Sequence, residues 1–100
     1  MDVVKRRIWI AKNEILDSIE VRDKGRVRWY SYTYRFKGRK GVWRPMVRWD
    51  NLEAEPHVDK YDENGALLEQ KPCRMQDLMG VERLVLNFRR NLLAMEIADL

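Results

Sequence analysis

One hundred residues are enough for a single hydrophobic core and too few for two. With 45% hydrophobic and 36% charged residues the chain has the make-up of a well-solvated globular domain, and its apolar runs are far too short to span a bilayer. The lone Cys73 excludes an internal disulfide and a cysteine-pair zinc site; the opening MDVVKRRIWIAKNE breaks its apolar runs with charge, so no signal peptide and a cytoplasmic location are expected.

The net charge of +4 is unevenly spread. Residues 1–50 hold 14 Lys and Arg against 6 Asp and Glu, whereas residues 51–100 hold 6 against 10. A basic half can be a polyanion-binding face. It can equally be a set of sheet edges and solvent faces kept soluble by Lys and Arg.

In chain order, VVKRRIWIA (3–11) reads as a short strand, although Val4, Ile8 and Trp9 also suit a short helix. Glu14 to Arg22 alternates, with Ile15, Asp17, Ile19 and Val21 on one face and Ser18, Glu20 and Arg22 on the other. Asp23-Lys24-Gly25 supplies a turn. Arg26 to Phe36, RVRWYSYTYRF, is the strongest strand signal, because it combines β-branched and aromatic residues with a period of two. Tyr30, Tyr32, Tyr34 and Phe36 share one face of it, and that face is the expected supplier of the core under a helix.

Lys37 to Gly41 forms a basic hairpin loop, and Val42 to Trp49 returns as a strand. Pro45 requires a free edge or a bulge there, since it has no N–H for the ladder. Asn51 to Pro56 connects to a strand from Pro56 to Tyr61, and Asp62-Glu63-Asn64-Gly65 turns towards a partner strand at Ala66 to Glu69. The helical period then takes over: Leu78, Val81, Leu84, Val85, Phe88, Leu92 and Met95 recur at spacings of three and four. Leu86, Leu93 and Ile97 widen that stripe enough to meet a second chain. The expected fold is α+β: a single domain over 1–100, an antiparallel β-meander of four to six strands (about 5–69), and a C-terminal helix (about 76–97) packed on one face.

The chemistry concentrates around residues 47–65. Strand alternation puts His57, the single histidine, on one face with Asp59 and Tyr61. A histidine can move a proton, and a carboxylate beside it can orient the ring. The bland alternative is a half-exposed strand histidine beside a solvated aspartate. Two ligands do not define a metal site, so no metal or other cofactor is expected. Arg48 is placed to meet a phosphate or to pair with Asp50 two residues on. Arg35, Arg39, Lys40 and Arg44, interleaved with aromatic residues, are the candidate nucleic-acid contacts. The chain has no glycine-rich phosphate loop, nucleophile elbow or paired-glutamate site.

In Ile15 to Val21, Tyr30-Ser31-Tyr32-Thr33-Tyr34, Arg48-Trp49-Asp50-Asn51 and Pro56-His57, followed by a turn and a helix, the chain resembles the TumE-like family of small prokaryotic proteins. The resemblance runs from about Glu14 to Asn87. It implies a toxin component of a toxin–antitoxin pair, with a cognate antitoxin as partner and RNA as the molecule attacked, cleaved without a metal. It assigns proton transfer to His57, orientation of His57 to Asp59, the phosphate to Arg48 and a further hydroxyl to Tyr61. Members carry several histidines past the Pro-His, where this chain has Val58-Asp59, so Asp59 stands in for them. The competing reading is a non-catalytic interaction module, a homodimer through the helix stripe that charged substitutions at Leu86 or Leu93 would break.

Overall fold

A computed structural model of the chain describes residues 1–53 and 55–100. Six strands form one sheet: β1 (Asp2–Ala11), β2 (Glu14–Asp23), β3 (Arg26–Lys37), β4 (Trp43–Asp50), β5 (His57–Tyr61) and β6 (Leu67–Pro72). They lie side by side in chain order, each antiparallel to the next. The helix α1 (Leu78–Phe88) and two 3-10 turns, Arg89–Ala94 and Ile97–Asp99, follow the sheet. The fold is the α+β meander with a C-terminal helix. The sheet reaches further at both ends than the expected 5–69, and the segment at 3–11 is fully extended. No helix among the described residues is long and apolar enough to cross a membrane.

The turns follow from the residues that occupy them. Lys24 and Gly25 both take positive φ, at 52° and 78°, as a two-residue hairpin between twisted strands requires. The Asp62–Gly65 turn is built differently from the expected Asn-Gly pair, because only Gly65 has positive φ, at 80°. The Asp62 carboxylate accepts from the N–H groups of Asn64 and Ala66 at 2.8 and 2.9 Å, and so holds the turn itself. Pro45 sits where the β3–β4 register slips between Tyr34 and Arg35, and β5 pairs only with Val47–Asp50, so its missing N–H breaks no ladder.

The face under the helix is the tyrosine face. Tyr30, Tyr32 and Tyr34 are at most 1% exposed and pack with Leu16, Val47, Trp49 and Val58 against Val81, Val85, Leu92, Ile97 and Leu100. A buried phenol needs a partner for its O–H. On β2 the inward positions are therefore Glu14, Leu16, Ser18 and Glu20, and the apolar Ile15, Ile19 and Val21 lie on the opposite face. Tyr32 donates to Glu20 at 2.6 Å, Tyr34 donates to Glu14, and the Tyr30 oxygen accepts from the Gln76 N–H at 3.2 Å. Glu14 is also held by Arg89 and Glu20 by Arg22.

The helix expected over 76–97 is shorter. Asp77 caps its start by accepting from the Gly80 N–H at 2.7 Å, and a side chain at Gly80 would meet that carboxylate at 3.0 Å. At Arg89 φ becomes 44° and the helix stops. This break lets the Arg89 guanidinium reach Glu14 and turns Leu92, Ile97 and Leu100 back onto the core. Buried Lys60 of β5 fastens the return by donating to the carbonyls of Leu93 and Met95.

Candidate functional site

The other face of the sheet carries no helix. Cross-strand pairing fixes which side chains share it: Arg7 opposite Asp17, Asp17 opposite Thr33, Thr33 opposite Arg48, Arg48 opposite Asp59, and Asp59 opposite Gln70. One step along, Ile19 faces Ser31, Ser31 faces Asp50, and Asp50 faces His57. Registers of this kind bring side chains within about 5 Å of each other. Two polar rows therefore cross the sheet and meet at β4 and β5.

At their meeting point stand Asp50, His57 and Asp59. His57 Nε2 lies 3.0 Å from Asp50 Oδ1 and 3.8 Å from Asp59 Oδ2. Its other nitrogen, Nδ1, lies 3.0 Å from the Glu55 carbonyl oxygen. A carbonyl only accepts, so Nδ1 carries a hydrogen and donates. Both carboxylates are buried, each residue 5% exposed. Asp59 accepts from the Gln70 amide at 2.7 Å and from the Tyr61 hydroxyl at 3.3 Å. Asp50 accepts from the Leu52 N–H at 3.2 Å. Burial, together with the Asp59 carboxylate, raises the Tyr61 phenol, against the lowering by Arg48. The Tyr61 hydroxyl thus remains a hydrogen donor to Asp59.

Arg48 stands beside the cluster. Its Nε donates to Thr33 Oγ1 at 3.1 Å, and its guanidinium lies 5.7 Å from the centre of the Tyr61 ring. No Arg48–Asp50 ion pair forms among the described residues; Asp50 is turned to His57 instead. Next to Arg48 the sheet surface is hollowed into a concavity of about 420 Å³, whose walls include Lys5, Arg7, Arg35 and Arg48 with the hydroxyls of Ser31 and Thr33. Asp17 sits within it and binds Arg7 at 2.8 Å and Arg35 at 3.2 Å. On the same face the 61%-exposed Trp9 stands edge-on to Trp43 at 5.8 Å, with Lys37 over the Trp43 ring.

Of the residues that the sequence singles out, His57, Asp59, Arg48 and Tyr61 come together, and Arg35 lies on the same face. Arg39, Lys40 and Arg44 are elsewhere. They line a groove of about 460 Å³ between the β3–β4 loop and the Asp62–Gly65 turn, where Arg44 donates to the Glu63 carbonyl. Arg39 and Lys40 lie in the loop between β3 and β4, and the bulge opposite Tyr34 and Arg35 sets Arg44, at the start of β4, opposite Phe36 and off the face of Arg35.

Two expectations change in detail. Asp50 rather than Asp59 is the nearer carboxylate to the ring, and Asp50 completes a third donor where the sequence offered two: one atom each from Asp50, His57 and Asp59 lie within 4.8 Å of one another. Asp50, read from the sequence only as a partner for Arg48, thus pairs with His57 instead, and Gln70 was not singled out at all. The signal for Asp50 lay in the connection after β4, which folds the last residue of β4 opposite the first of β5. That connection, expected over Asn51 to Pro56, contains residue 54, which lies outside the described residues.

No protein-family model matches the chain. Neither a curated protein nor a solved structure matches it. The toxin–antitoxin part of the functional reading therefore rests on the resemblance of the motifs alone, and the RNA part on that resemblance together with the open face and its residues.

Proposed function

We propose that the chain acts on RNA across the open face of its sheet, as the toxin component of a toxin–antitoxin pair. The observation that supports this best is the placing of a cationic, hydroxyl-lined concavity directly beside Asp50, His57 and Asp59, with Arg48 shared between the two. Lys5, Arg7, Arg35 and Arg48 suit the phosphates of a backbone, and the exposed Trp9 beside the half-buried Trp43 offers ring surface for unpaired bases. The chemistry is transfer within the strand. The 2′-oxygen bonds to phosphorus as the P–O5′ bond breaks; the 2′-hydroxyl proton passes to the cluster of His57, Asp50 and Asp59, which returns one to the departing 5′-oxygen. Arg48 meets the phosphate as charge builds on it. Tyr61 acts through Asp59, since its hydroxyl is engaged there.

Cleavage of a fluorescent single-stranded RNA by the protein and by its His57→Ala variant tests this reading. The expected result is cleavage by the first and none by the second, with both folded. Equal cleavage by the two, or none by the unaltered protein at concentrations comparable to the RNA, would overturn it.

One feature supports a second reading, the interaction module. Met79 and Leu86 are exposed on α1, by 66% and 52%, and their spacing of seven residues puts them on one side of the helix. Sedimentation equilibrium of the protein and its Leu86→Glu variant separates the readings. A dimer that the substitution dissociates favours the module, and a monomer in both cases removes it.

A further inference from the structure

We propose that Asp50, His57 and Asp59 form a binding site for one divalent transition-metal ion, Mn²⁺ or Zn²⁺. Nδ1 of His57 donates to the Glu55 carbonyl, so in the neutral ring the lone pair is on Nε2. That lone pair points at a carboxylate oxygen 3.0 Å away and at a second one at 3.8 Å, and neither oxygen is a donor when ionised. Three electron-rich atoms converging on one point are stable when a positive charge sits between them. A divalent ion between them would be bound by all three residues.

The charge balance points the same way. Two buried carboxylates need compensation, and the nearest guanidinium, that of Arg48, is bonded to Thr33 and makes no ion pair with either among the described residues. Each donor residue is also oriented by a hydrogen bond to a neighbour: Gln70 bonds Asp59 Oδ1, the oxygen away from the ring, whereas Tyr61 and the Leu52 N–H bond the oxygens that face it. The Glu55 carbonyl fixes the His57 tautomer that leaves Nε2 to the metal. Ligands at about 2.1 Å from an ion lie roughly 3.0–3.4 Å apart. The 3.0 Å spacing from His57 to Asp50 meets that, while the 3.8 Å spacing to Asp59, in a set whose atoms all lie within 4.8 Å of one another, requires Asp59 to draw in on binding. One imidazole and two carboxylates suit Mn²⁺ or Zn²⁺, not Mg²⁺ or Ca²⁺ with their preference for oxygen alone. Three protein ligands also leave positions open, as a catalytic site requires, and Arg48, a wall of the concavity, is the cross-strand neighbour of Asp59.

As a binding site this stands by itself; as part of catalysis it rests on the RNA reading above. The chain has a single histidine, so tag-free ¹⁵N-labelled protein freed of metal with a chelator gives one pair of imidazole nitrogen signals. Titration with Zn²⁺ is expected to move the Nε2 signal with a stoichiometry of one ion per chain while Nδ1 keeps its hydrogen. Binding of Mn²⁺, followed by its electron paramagnetic resonance, is expected to be lost in Asp50→Asn and Asp59→Asn. It should weaken roughly 10- to 100-fold in Gln70→Leu, which removes only an outer contact, and should be unchanged in Arg39→Ala. Circular dichroism establishes that each variant is folded. An Nε2 signal unmoved by excess Zn²⁺, or equal Mn²⁺ affinity in all the variants, would overturn the site. RNA cleavage that persists in EDTA alongside an unmoved signal also removes the ion, and leaves the RNA reading standing. A bound ion without cleavage upholds the site and removes the RNA reading.

Discussion

At the scale of single residues, two kinds of buried carboxylate do different work. Glu14 and Glu20 are partners for the phenols of the core. Burial raises Glu20, but the Tyr32 hydroxyl and Arg22 outweigh it and hold the group below its ordinary value. Arg89 does most to lower Glu14, with burial opposing and Tyr34 assisting. Burial, and then the neighbouring glutamate, pushes the Tyr32 and Tyr34 phenols upwards, so they stay donors. Since both glutamates are depressed on folding, their contribution is present above the ordinary carboxylate value of 4.5 and is lost as pH falls through the folded values. The melting temperature should therefore fall as pH is lowered below about 4.5, and Glu20→Gln should flatten that fall. A melting series in the two proteins checks both. Tyr32→Phe leaves one oxygen of Glu20 without its buried donor and should cost about 1–3 kcal/mol in denaturant unfolding. Asp50 and Asp59, by contrast, face a histidine, and Arg48 stands free of them. If Arg48 meets the phosphate, Arg48→Ala should slow RNA cleavage by roughly 100- to 1,000-fold with an unchanged unfolding midpoint.

At the scale of elements, the period of two was a sound guide to strands and a poor guide to which face of β2 is inside. Ile15, Ile19 and Val21 group together, yet the core side is the one with Glu14, Ser18 and Glu20. The reason is chemical: three tyrosines on β3 fill the core, and the hydroxyls of two of them, Tyr32 and Tyr34, recruit Glu20 and Glu14 of the neighbouring strand as acceptors. The helix shows the opposite limit. Its apolar spacing continues through Leu92 and Met95, but the backbone reverses at Arg89, which periodicity does not register. This separates Leu86 from Leu93, since Leu86 is exposed while Leu93 packs against the core. Leu93→Glu should accordingly destabilise the fold by about 2 kcal/mol or more, whereas Leu86→Glu should leave the unfolding midpoint within about 0.5 kcal/mol. Denaturant titration of the two variants tests the distinction. The candidate site was half legible. His57, Asp59 and Tyr61 share a strand, so alternation alone joins them, but Asp50 and Gln70 enter through the registers of β4 and β6, which no local pattern encodes.

At the scale of the whole molecule, the sheet divides the labour. One face is closed by tyrosines, Trp49 and the C-terminal segment, and the other remains open with its polar rows. The excess of Lys and Arg in the first half of the sequence has a structural counterpart here, because Lys5, Arg7, Arg35 and Arg48 reach the open face from β1, β3 and β4. If that face follows an RNA backbone, binding should weaken with salt, and each cation removed from it should reduce the salt slope by about one. Arg39→Ala and Lys40→Ala, in the loop beyond, should leave the slope unchanged. The most direct measurement is a map of backbone amide shifts on adding a single-stranded RNA whose 2′-hydroxyls are methylated so that it binds without being cut. The account predicts shifts at Ser31, Thr33, Arg48 and His57 and at the Trp43 indole, with α1 undisturbed. Shifts confined to α1 and the β6 edge, or none at all, would contradict it.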